Sequence, residues 1–399
     1  MSKRSFSFWI LPVAIAIHSI TLWTISCGGV YGEEAAAVRV GPDPTAYKTC
    51  VDKGVNYLVT HQMPDGSFSP ETGVGITALA VAALVRSGLT THDPPVRAGL
   101  AYLEKQIQPD GGIYTPEGFY KNYETCIAMM CFQWADPERY KDVIARAEKF
   151  VKDIQWDESE DKNPSDYFYG GAGYGRSKRP DLSNTAFLID ALRAVGRGPD
   201  DPAIQKALIF VSRCQNLETE YNTTPFASKN PDGGFYYTCA AGGQSMAGQT
   251  PTGGLRSYGS MTYAGLKSLI YAGLTADDPR VQAAKRWIAQ HYDLDSNPGL
   301  GQQGLYYYYH TFAKTMDALG EPFFVDAQGR RHDWRAELFE ALAKRQREDG
   351  SWVNTADRWM EGDPNLVTAY ALLALSYCRP TEIKATGHGS TPSNAAARP

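Results

Sequence analysis

One pattern recurs from about Tyr47 to Cys378 and leaves this chain few folds to choose from. An apolar segment running into Gln appears as Tyr57-Leu58 before Gln62, Tyr102-Leu103 before Gln106, Phe150-Val151 before Gln155 and Phe210-Val211 before Gln215, with weaker copies ending at Gln290 and Gln346. Four copies are followed by an Asp-Gly turn with a bulky residue two places on: Asp65-Gly66-Ser67-Phe68, Asp110-Gly111-Gly112-Ile113, Asp232-Gly233-Gly234-Phe235 and Asp349-Gly350-Ser351-Trp352. The third and fifth copies keep glycines without the Asp, at Gly170 to Tyr174 and Gly301 to Tyr306. Next stands a Thr that opens a small-residue-rich segment: Thr77, Thr125, Thr185, Thr262, Thr311 and Thr368. Its hydroxyl is expected to cap the helix start, and the alanines that follow allow close packing. The linkers Asp93-Pro94, Asp136-Pro137, Asp201-Pro202 and Asp278-Pro279 predict an Asp cap with Pro in the first turn of the next helix.

Each unit therefore reads as helix, Gly-rich turn, helix, with no strand-like alternation of any length, and the fold class is all-α. A single unit cannot bury its own apolar face, so the copies must stack, as an open solenoid or as a closed ring. Small residues on the second helix of each unit favour closure, with an inner ring of helices inside larger outer ones. The Gln-to-Thr separations run from 15 to 47 residues, so insertions collect at one end of the inner helices, where functional loops are expected. The longest, Asn216 to Met261, is rich in glycine and reads as either a flexible lid or a disordered insertion.

The chain has 399 residues, 43% hydrophobic and 21% charged, enough for one large domain or two medium ones. A formal net charge of -5 and the lack of a Lys/Arg cluster interleaved with aromatics argue against nucleic acid as a partner. Lys3 and Arg4, then an apolar run from Phe8 to Ile25, then small residues around Cys27 lay out residues 1–32 as a secretion signal, with a membrane anchor and lipidation at Cys27 as the lesser readings. Six cysteines would follow the leader, all in apolar surroundings without a Cys-x-x-Cys, and no obligatory disulfide framework is expected. The repeat domain spans 45–380, and the small, polar, Pro-containing 381–399 reads as a disordered tail.

The Gln-x-x-x-Gly-x-Trp pattern, complete in Gln346 to Trp352 and with Phe for Trp in Gln62 to Phe68, resembles the repeat of the prenyltransferase and squalene oxidase family, which includes squalene-hopene cyclase and the β subunits of protein prenyltransferases. The resemblance implies an α/α toroid of six inner and six outer helices around a central cavity. It also gives two frames in which to look for chemistry. The cyclase motif Asp-x-Asp-Asp-Thr-Ala is matched in frame by Asp181-Leu182-Ser183-Asn184-Thr185-Ala186, but Ser183 stands where the proton donor belongs and its hydroxyl is far too weak an acid to protonate an alkene. Asp181 is left as a substitute acid or as a helix cap, the latter favoured. The prenyltransferase zinc site is matched by His310 alone, with Tyr258-Gly259-Ser260 where Asp and Cys belong, and one His does not hold zinc. Neither a metal nor a cofactor is expected.

His310 opens an inner helix among Tyr306 to Tyr309, and some of these rings are expected to face the cavity, where they could line an apolar ligand's path or steady a cation. Repeat register adds Tyr123, Glu124, Tyr258, Tyr307, Tyr309, Trp359 and Asn365 as candidate ligand contacts, with Asp181 and His310 as candidate catalytic groups. No Gly-x-Ser-x-Gly, Gly-x-x-x-x-Gly-Lys or His-Glu-x-x-His occurs. The sequence thus supports an exported, terpenoid-cyclase-like toroid that acts on or binds an apolar isoprenoid-type ligand, with membrane-surface association left open. The alternative is a non-catalytic binding or scaffold toroid at the cell envelope. A third reading, carbohydrate processing, would need two carboxylates facing each other across the cavity.

Overall fold

A computed structural model describes residues 37–384 apart from Ser177, so the secretion signal, Cys27 and all but the first four residues of the expected tail lie outside the described residues. The body considered is Val38–Ile383. Among the described residues twelve α-helices alternate outer and inner. The outer ones are α1 (Pro44–His61), α3 (Pro94–Glu104), α5 (Lys141–Asp153), α7 (Pro202–Arg213), α9 (Pro279–Gln290) and α11 (Trp334–Arg345). The inner ones are α2 (Val74–Arg86), α4 (Lys121–Ala135), α6 (Leu182–Ala194), α8 (Gly259–Tyr271), α10 (Leu305–Leu319) and α12 (Pro364–Leu375). Each inner helix packs on the next, and α12 packs on α2, so the ring closes into the α/α toroid that the repeat predicts.

The inner helices are buried on nearly all faces because they are covered twice, by neighbours in the ring and by the outer layer. In α2 every residue from Val74 to Leu84 is buried. The outer helix α5 instead buries one stripe, Ile144, Ala147, Glu148, Phe150 and Val151, and shows the rest to water.

The repeat's fixed residues turn out to be fasteners between backbones. Gln155 Nε2 donates to Gly170 O (2.8 Å) in its own turn and to Ala203 O (2.9 Å) in the next outer helix. Gln62 and Gln215 do the same with Gly66 and Pro95, and with Gly233 and Arg280. Gln346 reaches Gly350 O and, across the closure, Cys50 O (2.9 Å) of α1. The glycines are needed because the turn presses on the neighbouring outer helix: Gly66 has φ +92°, and a Cβ there would collide with the Ala98 carbonyl.

The Thr does not cap. It sits a turn inside the inner helix, where Thr77 Oγ1 accepts from Phe68 N (2.9 Å), Thr125 from Ile113 N, Thr185 from Ala172 N, Thr262 from Phe235 N and Thr368 from Trp352 N. In these five repeats the hydroxyl pairs a turn residue, bulky in all but Ala172, whose backbone N–H would otherwise be buried without a partner, whereas Thr311 Oγ1 donates to Tyr307 O within α10. Among the Asp-Pro linkers, Asp201 and Asp278 cap α7 and α9, whereas Asp93 turns back to Thr90 and Asp136 ends α4 a few residues before α5 begins. Thr381–Lys384, expected as the start of a disordered tail, instead forms a strand, β4, hydrogen-bonded beside β1 (Ala37–Val40). A second small sheet pairs β2 (Phe324–Val325) with β3 (Arg331–His332). Among the described residues no helix is long and apolar enough to cross a membrane.

Candidate functional site

All six inner helices start at the same end of the ring, and their first turns surround a central cavity of about 420 Å³. Its lining includes nine aromatic side chains, namely Tyr120, Tyr123, Tyr174, Phe187, Tyr237, Tyr258, Tyr307, Trp359 and Tyr370, together with Ile76, Met246, Met261 and Leu366. No Lys, Arg, His or Asp is among the lining residues. Across the base of the cavity four rings from α4, α6, α10 and α12 close a quartet. Tyr123 meets Phe187 at 4.9 Å, Phe187 meets Tyr307 at 6.1 Å and Tyr307 meets Tyr370 at 6.0 Å, while the hydroxyls of Tyr123 and Tyr370 are 2.7 Å apart. Ser183, in the cyclase frame, pairs its Oγ with Tyr307 Oη at 2.9 Å.

Both carboxylates in the lining are engaged as helix caps across repeats. Glu124 Oε1 accepts from Val74 N (2.9 Å) at the start of α2, and its Oε2 from Thr115 N (3.0 Å). Glu361 Oε1 accepts from Tyr306 N (3.0 Å) and Tyr307 N (2.9 Å) at the start of α10, and its Oε2 from Asn354 Nδ2 (2.6 Å). An anionic side chain at a helix N-terminus is well placed. Burial pushes both carboxyls above their ordinary values, and the N–H donors offset part of that.

Asp181 is 1% exposed and is the N-cap of α6, accepting from Asn184 N (2.8 Å) and Asn184 Nδ2 (2.9 Å). Burial pushes its carboxyl up to about 6, against the lowering effect of these hydrogen bonds and of the Tyr237 hydroxyl beside it. It does not line the cavity, whereas Ser183, Asn184, Tyr174 and Tyr237 do.

His310 is also absent from the lining. It is buried a turn further along α10, its ring 5.5 Å from that of Tyr370 and its Nδ1 without a partner. Burial holds its imidazole well below the usual range, and the nearby Lys314 and Lys267 act in the same direction. These lysines belong to a charged cluster in the inner ring: Lys267 Nζ lies 2.7 Å from Asp190 Oδ2, and Lys314 Nζ bonds the same oxygen. Burial lowers Lys267 to about 8, whereas the two ammonium groups outweigh burial at Asp190 and keep it below its ordinary value.

Of the residues singled out from the sequence, Tyr123, Glu124, Tyr258, Tyr307 and Trp359 line the cavity. Tyr309 does not: it is wholly buried between layers, its hydroxyl donating to Leu294 O (2.6 Å), because it falls on the opposite side of α10 from Tyr307. Asn365 is used at the start of α12, its Nδ2 donating to Ser69 Oγ (3.0 Å). The insertion from Asn216 is neither disordered nor a free lid; it is pinned by bridges such as Thr238 with Gln244 and Gln249 with Leu255, and by Asn216 Nδ2 donating to Leu255 O (2.7 Å). Sequence reasoning missed Tyr174, Tyr237 and Glu361; the two tyrosines each stand two places after the turn residue that pairs with the repeat Thr, Ala172 and Phe235, whereas Glu361 comes from an irregular loop. The buried cluster had a signal: Asp190 and Lys267 each stand five residues after the repeat Thr, charges in otherwise apolar helices.

Residues 69–241 match the family model described as the squalene-hopene cyclase C-terminal domain. Among solved structures, a family 76 glycoside hydrolase from a bovine Bacteroides thetaiotaomicron strain is 12% identical, with a TM-score of 0.50 over 82% of this chain and 77% of that one. The type II terpene cyclase MstE from Scytonema is 13% identical, with a TM-score of 0.47 over 84% of this chain and 98% of that one. At such identity the glycoside hydrolase supports the fold alone. No curated protein sequence matches this chain.

Proposed function

We propose that this chain is an exported toroid that holds a neutral, largely apolar isoprenoid-type molecule in its central cavity and does not start its cyclisation by protonation. The observation that carries this reading is the lining: nine aromatic side chains, no cation, and two carboxylates already engaged with backbone N–H groups. A volume of about 420 Å³ falls in the range of roughly 300–1,000 Å³ usual for small-molecule sites. No Lys or Arg lines the cavity, and the one guanidinium against lining residues, that of Arg358 stacked on Trp359 at 4.3 Å, is a single charge, which disfavours a diphosphate whose charge would be buried largely uncompensated.

Two features argue against carbocation chemistry. Ser183 replaces the frame's acid, and the nearest carboxyl, Asp181, has its two oxygens engaged by Asn184. Beneath the aromatic base, one Asp faces two Lys. Lys314 lies seven residues along α10 from Tyr307, about 10 Å of helix rise, and one uncompensated positive charge at that distance disfavours a cation in the cavity by about 1–2 kcal/mol at an effective dielectric of about 20. Carbohydrate processing finds little support, since Glu124 and Glu361 are the only carboxylates among the lining residues and both act as caps.

Titrating the purified protein with a neutral C20 isoprenoid and with the corresponding diphosphate, read by tryptophan fluorescence, tests the reading. Saturable binding of the neutral molecule and at least tenfold weaker binding of the diphosphate are expected; a preference for the diphosphate would overturn it.

A further inference from the structure

The base of the cavity carries more hydroxyl protons than it can use. Tyr123 on α4 and Tyr370 on α12 set their Oη atoms 2.7 Å apart, and either can be the donor. Ser183 on α6 and Tyr307 on α10 do the same at 2.9 Å. All four residues line the cavity. A hydroxyl brings one proton and two lone pairs. In each pair one proton closes the bond, and the other has no hydrogen-bond acceptor among the described residues, whichever way the pair turns. Solvent satisfies that proton in an empty cavity. A ligand that displaces the solvent without offering an acceptor leaves the bond unmade, at about 1–3 kcal/mol.

A second observation sets the direction of the ligand's dipole. Beneath the base Asp190 faces two lysines, Lys267 at 2.7 Å and Lys314 on the same carboxylate oxygen, so one positive charge is left over. The potential at the base is positive, and a polar bond of the ligand is favoured with its oxygen end against the base. We infer that the molecule held is an isoprenoid carbonyl compound, bound with its carbonyl oxygen against the two hydroxyl pairs and its hydrocarbon part towards the mouth, where Trp359 and Met360 line the cavity half-exposed. The inference rests on the proposed binding role of the cavity and names the chemical class of its ligand.

A carbonyl oxygen suits this base because it accepts two hydrogen bonds and brings no proton of its own. A hydrocarbon leaves both spare protons unmet. An alcohol accepts as well, but its own proton must turn to a lone pair of the base against the positive potential, so it ranks between the two. The same proton counting separates single from double replacement of the tyrosines. Removing one hydroxyl of a pair leaves the other with its proton free for the ligand, and only the loss of both withdraws the donor.

The test is one C20 isoprenoid skeleton carried as ketone, secondary alcohol and hydrocarbon, titrated into the full chain as wild type, Tyr123→Phe, Tyr370→Phe and the double variant. Wild type is expected to bind the ketone at least tenfold more tightly than the hydrocarbon, with the alcohol between. Each single variant should keep that preference within threefold. The double variant should lose at least fivefold of it and still bind the hydrocarbon saturably, which shows that it is folded. Infrared difference spectra of the bound ketone, isotope-labelled at its carbonyl, read the contact directly: the C=O stretch in wild type should lie below its frequency in hydrocarbon solvent and move back up in the double variant. Equal affinity of wild type for ketone and hydrocarbon, tighter binding of the alcohol than of the ketone, or an unshifted C=O stretch would overturn the carbonyl assignment and leave the binding role standing. Failure of every member of the series to bind would overturn both.

Discussion

Asp181 is the residue at which the cyclase-like frame and the present structure part. It keeps its place before α6, but as a buried cap whose carboxyl is held up at about 6 instead of the ordinary 3.8. The groups around it are Asn184, Tyr237, Tyr174 and, at longer range, Arg179. Because folding favours the protonated form, the stability that this group contributes is fully present below about pH 3.8 and is lost as pH rises through 6. Asparagine does not titrate. Wild type measured against Asp181→Asn should therefore lose about 3 kcal/mol of relative stability between pH 4 and pH 8 in chemical denaturation. A difference that stays constant with pH would show that the carboxyl is not held up. Ser183 allows a complementary test: Ser183→Asp restores the frame's acid but leaves the two buried lysines beneath it. No cyclised product is expected when that variant is incubated with squalene, and its appearance would show that the missing acid alone separates this chain from a cyclase.

At the scale of elements, the fasteners between repeats set the architecture. Gln346→Ala removes two hydrogen bonds to buried carbonyls, one of them across the ring closure, and should cost about 1–3 kcal/mol by thermal or chemical unfolding. The cluster joining α6, α8 and α10 is more sensitive. Asp190→Asn would leave Lys267 and Lys314 buried without a counter-ion and should cost about 3–5 kcal/mol, while joint replacement of all three groups by apolar residues of similar size should be far milder. A loss below about 1 kcal/mol for Asp190→Asn would mean that the lysines are not held as described. Helices and their order were legible in the sequence because Gln, Gly and Thr recur at backbone junctions that most of the repeats make. What Thr does there was not legible. Capping and cross-turn pairing ask for the same hydroxyl, and only the neighbouring backbone tells them apart.

The body Val38–Ile383 is a closed ring that collects its longer loops at the end where the inner helices start. The ring, its cavity and the place of five candidates in the cavity lining follow from the repeat, since register along equivalent elements fixes which residues share an end. Tyr309 was misplaced because four successive tyrosines on a helix point four ways, and Tyr174 and Tyr237 were overlooked because their shared offset, two places after the turn residue that meets the repeat Thr, holds a Tyr in only these two copies. Glu124 looked like a ligand contact and is principally a cap, a role that depends on a helix 50 residues earlier in the chain. The central claim is that this ring holds a neutral isoprenoid unchanged. It is tested most directly by incubating the protein with a neutral C20 prenyl alcohol, removing unbound molecule, extracting the protein with organic solvent and analysing the extract by gas chromatography with mass spectrometry. The account expects the alcohol to be recovered with its original retention time and spectrum. Recovery as a cyclised isomer, or no recovery at all, would contradict it.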